Sequence, residues 1–337
     1  VPTVSDLGED HLVAAVLARI REVTGARTGS LLVGNGDDAA VLPPGGPTVL
    51  STDTLVEGVD FRHDWSSPAD VGAKAAAAGL ADVVAMGARP EALLLSLTAP
   101  GGTDAELLIG IAAGAAEEAA RAGAVLVGGD VAAAAEVVVT VTATGRVDAG
   151  LAAVPRSGAR PGDVVAVAGA LGESAAGLAV LAAGGARAVV AGDPGSGSAS
   201  AALDLVVGRH RRPVPPYGAG SAAAAAGATS LIDVSDGLVR DARRVATASG
   251  VVLDLDPAAL GPDETLRLVG RLLDEDPAGW VLTGGEDHAL LATFPPGGRL
   301  TPGFRAIGRV AGRHPGGRVG IDGVPYEGRG GFTHFTD

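Results

Sequence analysis

The sequence predicts an α/β (α+β) fold in two domains, and three observations predict it. Short β-prone runs alternate with alanine-rich segments of helical period along the chain. A polar, Pro/Gly-rich stretch, Pro155-Arg-Ser-Gly-Ala-Arg-Pro-Gly-Asp163, interrupts that alternation near the middle, and strand and helix signals resume after it. Strands and helices mix on both sides, which points to two α/β-type units and not to the repeats of a solenoid. The expected domains are 1–150 and 151–337.

Glu9–Val23 carries Leu12, Val13, Val16, Leu17 and Ile20 at helical spacing and reads as an amphipathic helix. Gly34-Asn-Gly-Asp-Asp38 is a turn-rich loop before the apolar run Ala39–Leu42, and Thr48–Thr52 reads as a buried strand ending at Asp53. Ser67–Met86 is a long helix, with Ser67 and Pro68 at its start and Gly87 at its stop. Glu91–Thr98 is a strand, Asp104–Ala122 a helix, Ala124–Val127 a strand entering a Gly128-Gly129-Asp130 turn, and Val137–Thr144 a further strand. In the second half the expected elements are strand Val164–Ala168, helix Ser174–Ala183, strand Leu231–Val234, a helix from Gly237 to Ser249, and strands Val251–Leu255 and Ala289–Phe294. The Gly/Ser-rich stretch Ala191–Ser200 between them reads as mobile.

Composition narrows the function. Hydrophobic residues make up 47% of the chain and aromatics only 3%, so the core must be Ala, Val and Leu packed by close approach. A net charge of −14 repels the nucleic-acid backbone, and general nucleic-acid binding is not expected. The absence of cysteine excludes disulfides, thiolate zinc sites and cysteine nucleophiles. No stretch offers the roughly 20 uncharged apolar residues of a membrane span; Val71–Met86 is broken by Lys74 and Asp82. The N-terminal residues lack the order of a signal peptide, and a soluble cytoplasmic protein is the expectation. Lys74 is the only lysine; codon bias accounts for that, and a role as a flexible phosphate partner is the alternative.

The chemistry is carried by aspartates. Asp37 and Asp38 lie in a glycine turn, and Asp53, Asp130, Asp233 and Asp236 lie where strands meet turns. Any one of them reads as a turn former or helix cap. Asp82 does not: it interrupts an alanine-rich helix whose neighbours read as buried, and a buried carboxylate needs a cation or donors. As a set they suit a hard, oxygen-seeking ion such as Mg²⁺, which is held by a few carboxylates together with substrate phosphates. Gly128-Gly129-Asp130 lets backbone N–H groups approach an anion, and Arg156 offers a cation to phosphate. There is no G-x-x-x-x-G-K-[ST] and no protein-kinase signature, so both of those ATP-using classes are excluded.

Seven motifs in order sharpen this: Gly36-Asp-Asp-Ala-Ala-Val-Leu, Ser51-Thr-Asp-Thr-Leu-Val-Glu-Gly, Ala81-Asp-Val-Val-Ala-Met-Gly-Ala, Val127-Gly-Gly-Asp, Arg156-Ser-Gly-Ala-Arg-Pro-Gly-Asp, Ile232-Asp-Val-Ser-Asp-Gly-Leu and Thr283-Gly-Gly-Glu-Asp-His-Ala-Leu. Together, from about Asp6 to Phe335, they resemble the thiamine-monophosphate kinases, members of the aminoimidazole-ribonucleotide-synthetase-like superfamily. The resemblance implies that ATP donates its γ-phosphoryl group to thiamine monophosphate. It implies a homodimer whose N-terminal sheets join into a barrel, an N-terminal domain for metal, nucleotide and dimerisation, and ATP and substrate between the two domains of a protomer. On the matching positions it implies Mg²⁺ ligation by Asp38, Ser51, Thr52, Asp53, Asp82, Asp130, Asp233 and Asp236. Nucleotide contacts fall on Gly129, Asp130, Arg156 and Ser235, and thiamine-side contacts on Glu286 and Phe332.

One position departs from the pattern. Such kinases commonly carry Glu-Gly-x-His-Phe with the His on substrate, whereas this chain reads Glu57-Gly-Val-Asp60-Phe61, and an ionised Asp60 cannot donate to phosphate. Asp60 stays a substrate-side candidate, with Arg62 and His63 as possible substitutes. The expected mechanism needs no general base, because the attacking phosphate oxygen is already anionic and the task is to bring two anions together. The rivals are another ATP-using synthetase of the superfamily and a non-catalytic nucleotide-binding paralogue. A selenophosphate synthetase is disfavoured, since that branch commonly uses an N-terminal Cys or selenocysteine and a nearby Lys, and neither is present.

Overall fold

The computed structural model describes residues 2–25, 42–190, 197–298, 300–328 and 330–332. Asp37, Asp38 and most of the Ala39–Leu42 run lie outside the described residues, as do 191–196. The chain divides into two compact units, Val1–Val83 with Ala88–Ala149, and Val84–Gly87 with Gly150–Asp337. Both are mixed α/β, each built on its own sheet.

The first unit runs α1 (Val4–Leu7), α2 (Glu9–Thr24), β1 (Thr48–Val56), α3 (Pro68–Ala85), β2 (Arg89–Ala99), α4 (Ala105–Arg121), β3 (Val125–Ala133) and β4 (Val138–Arg146). Its four strands are ordered β1-β4-β2-β3. Strand β4 is antiparallel to both neighbours, and β2–β3 is parallel. The alternating Val/Thr pattern of β4 puts Val139, Val141 and Ala143 in the core and leaves threonines on the other face. Asp104 caps α4 by accepting the Glu106 N–H.

Two expectations are corrected here. Strand β1 does not end before Asp53 but continues to Val56, pairing Asp53 with Val141 of β4. Gly128-Gly129-Asp130 is not a turn but the middle of β3, paired with Leu94, Leu95 and Ser96. Glycine and aspartate are poor strand formers, so local propensity signals a turn; pairing with β2 overrides it. At Gly129 a Cβ would sit 1.8 Å from the Leu95 carbonyl oxygen, so close approach of the strands itself demands glycine.

The second unit contains β5 (Val164–Ala168), α5 (Glu173–Ala182), α6 (Ala186–Val190), α7 (Gly197–Arg211), α8 (Tyr217–Ala225), β6 (Ser230–Val234), α9 (Leu238–Ser249), β7 (Val251–Leu255), α10 (Glu264–Leu273), α11 (Pro277–Thr283), β8 (Ala289–Phe294), β9 (Phe304–Arg313), β10 (Arg318–Ile321) and β11 (Val324–Pro325). Its seven-stranded sheet has the order β11-β10-β7-β9-β5-β8-β6. Ala166, Ala168, Leu231, Leu290 and Ala292 pack with Phe294 and Phe304, whose rings meet edge to face at 5.3 Å. Strands β5 and β6 both run antiparallel to β8, Ala168 pairing with Leu290 and Val234 with Ala289. The loops leaving β5 and β6 and the loop entering β8 therefore meet at one end of the sheet.

The scarcity of large side chains is offset by close helix contact. A Cβ on Gly72 of α3 would fall 1.8 Å from the Ile111 carbonyl oxygen of α4, and one on Gly114 of α4 would fall 1.9 Å from the Ala69 carbonyl oxygen of α3. Alanine is the better helix former by about 1 kcal/mol, whereas overpacking a tight contact costs about 1–3 kcal/mol. The clash outweighs the propensity gain, and Gly114→Ala is therefore expected to destabilise the protein by up to about 2 kcal/mol, read as a lower urea midpoint with unchanged slope. An unchanged or raised midpoint would mean that the helices have room to spare.

Candidate active site

In the first unit, β1 presents Ser51 and Asp53 on one side and Thr52 on the other, by strand alternation. The Ser51 hydroxyl donates to Asp82 of α3 at 2.6 Å, and Asp82 is only half-buried, which together account for a carboxylate in that apolar helix. Asp53 accepts the Thr54 N–H at 2.8 Å. Thr52 donates to the Val141 carbonyl at 3.0 Å. The structure thus brings Ser51, Asp53 and Asp82 to one side of β1. Asp130 is exposed and lies on β3, the opposite edge of the sheet, three strand spacings or about 14 Å away along the sheet. Among the described residues no three acidic or histidine side chains converge on one point.

Asp60 closes the turn after β1: its carboxylate accepts the Val56 N–H at 2.8 Å, and its carbonyl accepts from the buried Lys74 ammonium at 3.0 Å. Beside it, His63 lies 3.2 Å from Glu57, while Arg62 pairs with Asp64 and covers the Trp65 ring at 4.4 Å.

The second unit gathers more. Ser235 and Asp236 follow β6, and Glu286 donates its N–H to the Ser235 carbonyl at 2.7 Å. Phe332, 48% exposed, donates its N–H to the Asp236 carbonyl at 3.0 Å. At Gly331 (φ 140°) a Cβ would fall 1.9 Å from that same carbonyl oxygen, so only glycine lets the tail lie this close. Ser235, Asp236, Glu286 and Phe332 thus form one group, with Asp233 buried beneath and 3.3 Å from His288 Nδ1. Arg156 is not part of it: its carbonyl accepts from Ser249 at the far end of α9, beside the start of β6.

Sequence reasoning missed the groups that hold this cluster. Arg244 pairs with both Asp236 and Asp241, and Arg240 reaches Asp236 at 3.3 Å and the Phe332 carbonyl. The available signal was spacing, since Asp236 and Arg240 stand four apart at the head of an amphipathic helix. His210 Nδ1 lies 3.3 Å from Glu286 and 3.1 Å from the Ser174 hydroxyl, contacts that no local pattern announces. A cavity of about 180 Å³ nearby is lined by Gly169, Glu173, Arg209, Val214 and Asp287, among others.

The two-sheet architecture and its glycine-rich, acidic loops define an AIR-synthase-related protein: residues 36–147 match the family described as AIR synthase related protein, N-terminal domain. The full chain is 45% identical to thiamine-monophosphate kinase of Mycobacterium tuberculosis, over 100% of this chain and 94% of that protein. It is similar to the crystal structure of thiamine-monophosphate kinase from Stenotrophomonas maltophilia K279a, with 32% identity, TM-score 0.77, and coverage of 93% of this chain and 97% of that one. It is equally similar to AaThiL complexed with AMPPCP and TMP, with 29% identity, TM-score 0.76 and 99% coverage of both chains. The chain belongs to the thiamine-monophosphate kinase family, whose members are phosphotransferases. No described helix is long and apolar enough to cross a membrane.

Three carboxyls in the second unit have displaced ionisation. Burial, reinforced by Asp233, pushes Asp241 up to about 7 against the pull of Arg244 and the Asp236 N–H. Burial likewise raises Glu173, opposed by Arg209. Asp287 is pushed by burial up to about 7, although the N–H groups of Ser174 and Gly172 pull the other way. In the unfolded chain this last carboxyl ionises near 3.8, so between roughly pH 4 and 7 the folded state holds the extra proton. Its contribution to stability is greatest below that window and falls as pH rises through 7. Asp287→Asn removes the titration. The stability of wild type relative to the variant is therefore expected to decline from pH 4 to 7 and level off above, in urea titrations at a series of pH values. A difference that stays constant across this range would refute it.

Proposed function

We propose that this chain transfers the γ-phosphoryl group of ATP to thiamine monophosphate by direct in-line displacement, giving thiamine diphosphate and ADP. The observation that carries the reading is the likeness, along 99% of both chains, to AaThiL in complex with AMPPCP and TMP. A terminal phosphate oxygen of thiamine monophosphate attacks the γ-phosphorus of ATP, and the bond from that phosphorus to the ADP oxygen breaks. The attacking oxygen is already anionic, so no side chain need accept a proton. The demands on the protein are alignment and charge compensation.

The donor set fits Mg²⁺: Ser51, Asp53 and Asp82 put only hard oxygens on one side of β1. With Asp38, Thr52, Asp130, Asp233 and Asp236 they are the residues that would hold the ions. Mg²⁺ would supply charge neutralisation between two anionic substrates. Gly129, Asp130, Arg156 and Ser235 would contact the nucleotide. Glu286 would face the cationic or amino-bearing part of thiamine, and Phe332, exposed over the Ser235–Asp236 loop, would stack on a ring. Asp60 would serve the substrate side through the turn it closes, because its carboxylate accepts and does not donate.

We assign the first unit to dimerisation. Among the described residues β1 and β3 each pair on one side only, and Leu50 and Leu94 lie 69% and 41% exposed. Two such sheets joined edge to edge would close a barrel, which removes free edges.

Purified protein with Mg²⁺-ATP is expected to convert thiamine monophosphate, but not free thiamine, and to lose this activity with excess EDTA. Absence of thiamine diphosphate while ATP still binds would reject the assignment. Asp53→Asn and Asp130→Asn are each expected to lower kcat by roughly 100-fold or more, the scale seen when one electrostatic contact to a transition state is lost, with the melting temperature little changed. Wild-type turnover in either variant would remove that residue from the metal set.

A further inference from the structure

We infer that Asp287 is a positioning residue for substrate recognition: buried beneath the Glu286–His288 turn, it locks that turn to the N-terminus of α5 and so fixes the direction of Glu286. The inference rests on the reading of Glu286 as a thiamine-side residue.

The turn is costly to form. Glu286 and His288 both have left-handed backbones, at φ 64° and 51°, a conformation that side chains other than glycine avoid. Three consecutive side chains then reach three different elements. Glu286 meets His210 on α7 at 3.3 Å, Asp287 meets the start of α5, and His288 meets Asp233 on β6 at 3.3 Å. The backbone reverses its hand on either side of Asp287, at Glu286 and at His288.

Asp287 is the element that no other side chain replaces. One carboxylate oxygen accepts the Ser174 N–H at 2.9 Å, and the other accepts the Gly172 N–H in a short contact. The donors are the N-cap residue Gly172 and Ser174 in the first turn of α5, where N–H groups have no partner within the helix. The contacts then close into a ring. Asp287 holds Ser174, the Ser174 hydroxyl lies 3.1 Å from His210 Nδ1, and that nitrogen lies 3.3 Å from Glu286, the residue next to Asp287. The direction of Glu286 is thereby tied to Asp287 through the chain on one side and through Ser174 and His210 on the other. Ionised, as it is above pH 7, the carboxylate accepts with both oxygens, whereas Asn in this place would aim an N–H at an N–H and Ser would leave one of the two donors unanswered.

The experiment is a double-mutant cycle on affinity for thiamine monophosphate, with wild type, Asp287→Asn, Glu286→Gln and the double variant measured calorimetrically and as KM. Asp287→Asn is expected to weaken thiamine monophosphate about tenfold while the KM for ATP stays within about twofold, and to have almost no further effect once Glu286 is Gln. Asp287→Ser, as a second variant should Asn fold poorly, is expected to show the same selectivity. Unchanged affinity, an equal loss toward ATP, or full additivity with Glu286→Gln would overturn the inference. Failure of the wild type to make thiamine diphosphate would reject the proposed function instead, and the calorimetric cycle would still read the coupling.

Discussion

A carboxylate buried among alanine, valine and leucine must have its lone pairs answered, and the second unit is arranged around that constraint. Asp163, Asp233, Asp241 and Asp287 are all buried, in an interior with few aromatics and no cysteine. Each is answered differently. Asp163 takes the Arg160 N–H and the Thr229 hydroxyl, Asp233 takes His288, Asp241 takes Arg244 and the Asp236 N–H, and Asp287 takes two amides of α5. Leaving any one of them unanswered would cost the full desolvation of a charge. Those answers connect β6 to β8, α9 to the loop before it, and the β8 entry to α5. The polar network thus fixes relations between elements that a small-residue core would leave adjustable.

Small residues contribute the complementary half. Where large rings are scarce, tight packing requires backbones to approach each other directly. Gly72 and Gly114 do this between α3 and α4, Gly129 between β3 and β2, and Gly331 between the tail and the Ser235–Asp236 loop. Gly129, which reads in the sequence as part of an anion-binding turn, is therefore also a packing position. The two uses are compatible: a strand without side chains on its edge leaves its amides approachable.

The sequence makes legible those elements whose hydrophobic period is unbroken. The helix at Glu9–Thr24, the long alanine-rich α3 and α4, and strands β4, β5, β6, β7 and β8 lie within a residue or two of where their patterns place them. Strand β9 is not legible, because two glycines, three arginines and a register shift against its neighbours break the alternation. Helices α8, α10 and α11 are short, and their signals are local caps such as Asp263 and Asp276, which resemble ordinary turn residues. For the site, residue types were readable but partners were not. Ser51 finds Asp82 from 31 positions away, and His210 meets Glu286 across 76 positions of chain. Asp53 and Asp130 read alike as strand-end carboxylates, yet they stand mid-strand on opposite edges of the sheet, a difference that only strand order decides.

The placement of Asp236 shows why the missed arginines matter. Its carboxylate is already engaged by Arg244 and approached by Arg240, and Arg240 also holds the Phe332 carbonyl. Both contacts fall on one oxygen, Oδ2, so a cation that took that oxygen would have to share or displace a guanidinium. If Arg240 is the group released, the loss falls on the tail as well, because the same side chain links Phe332 to the loop. If Arg244 is released, Asp241 is left buried with less positive charge beside it, and burial then favours its protonated form still more strongly. Occupancy at Asp236 is in this way coupled to the tail through Arg240 and to a buried proton through Arg244. Both routes run through α9, a helix whose sequence reads simply as amphipathic.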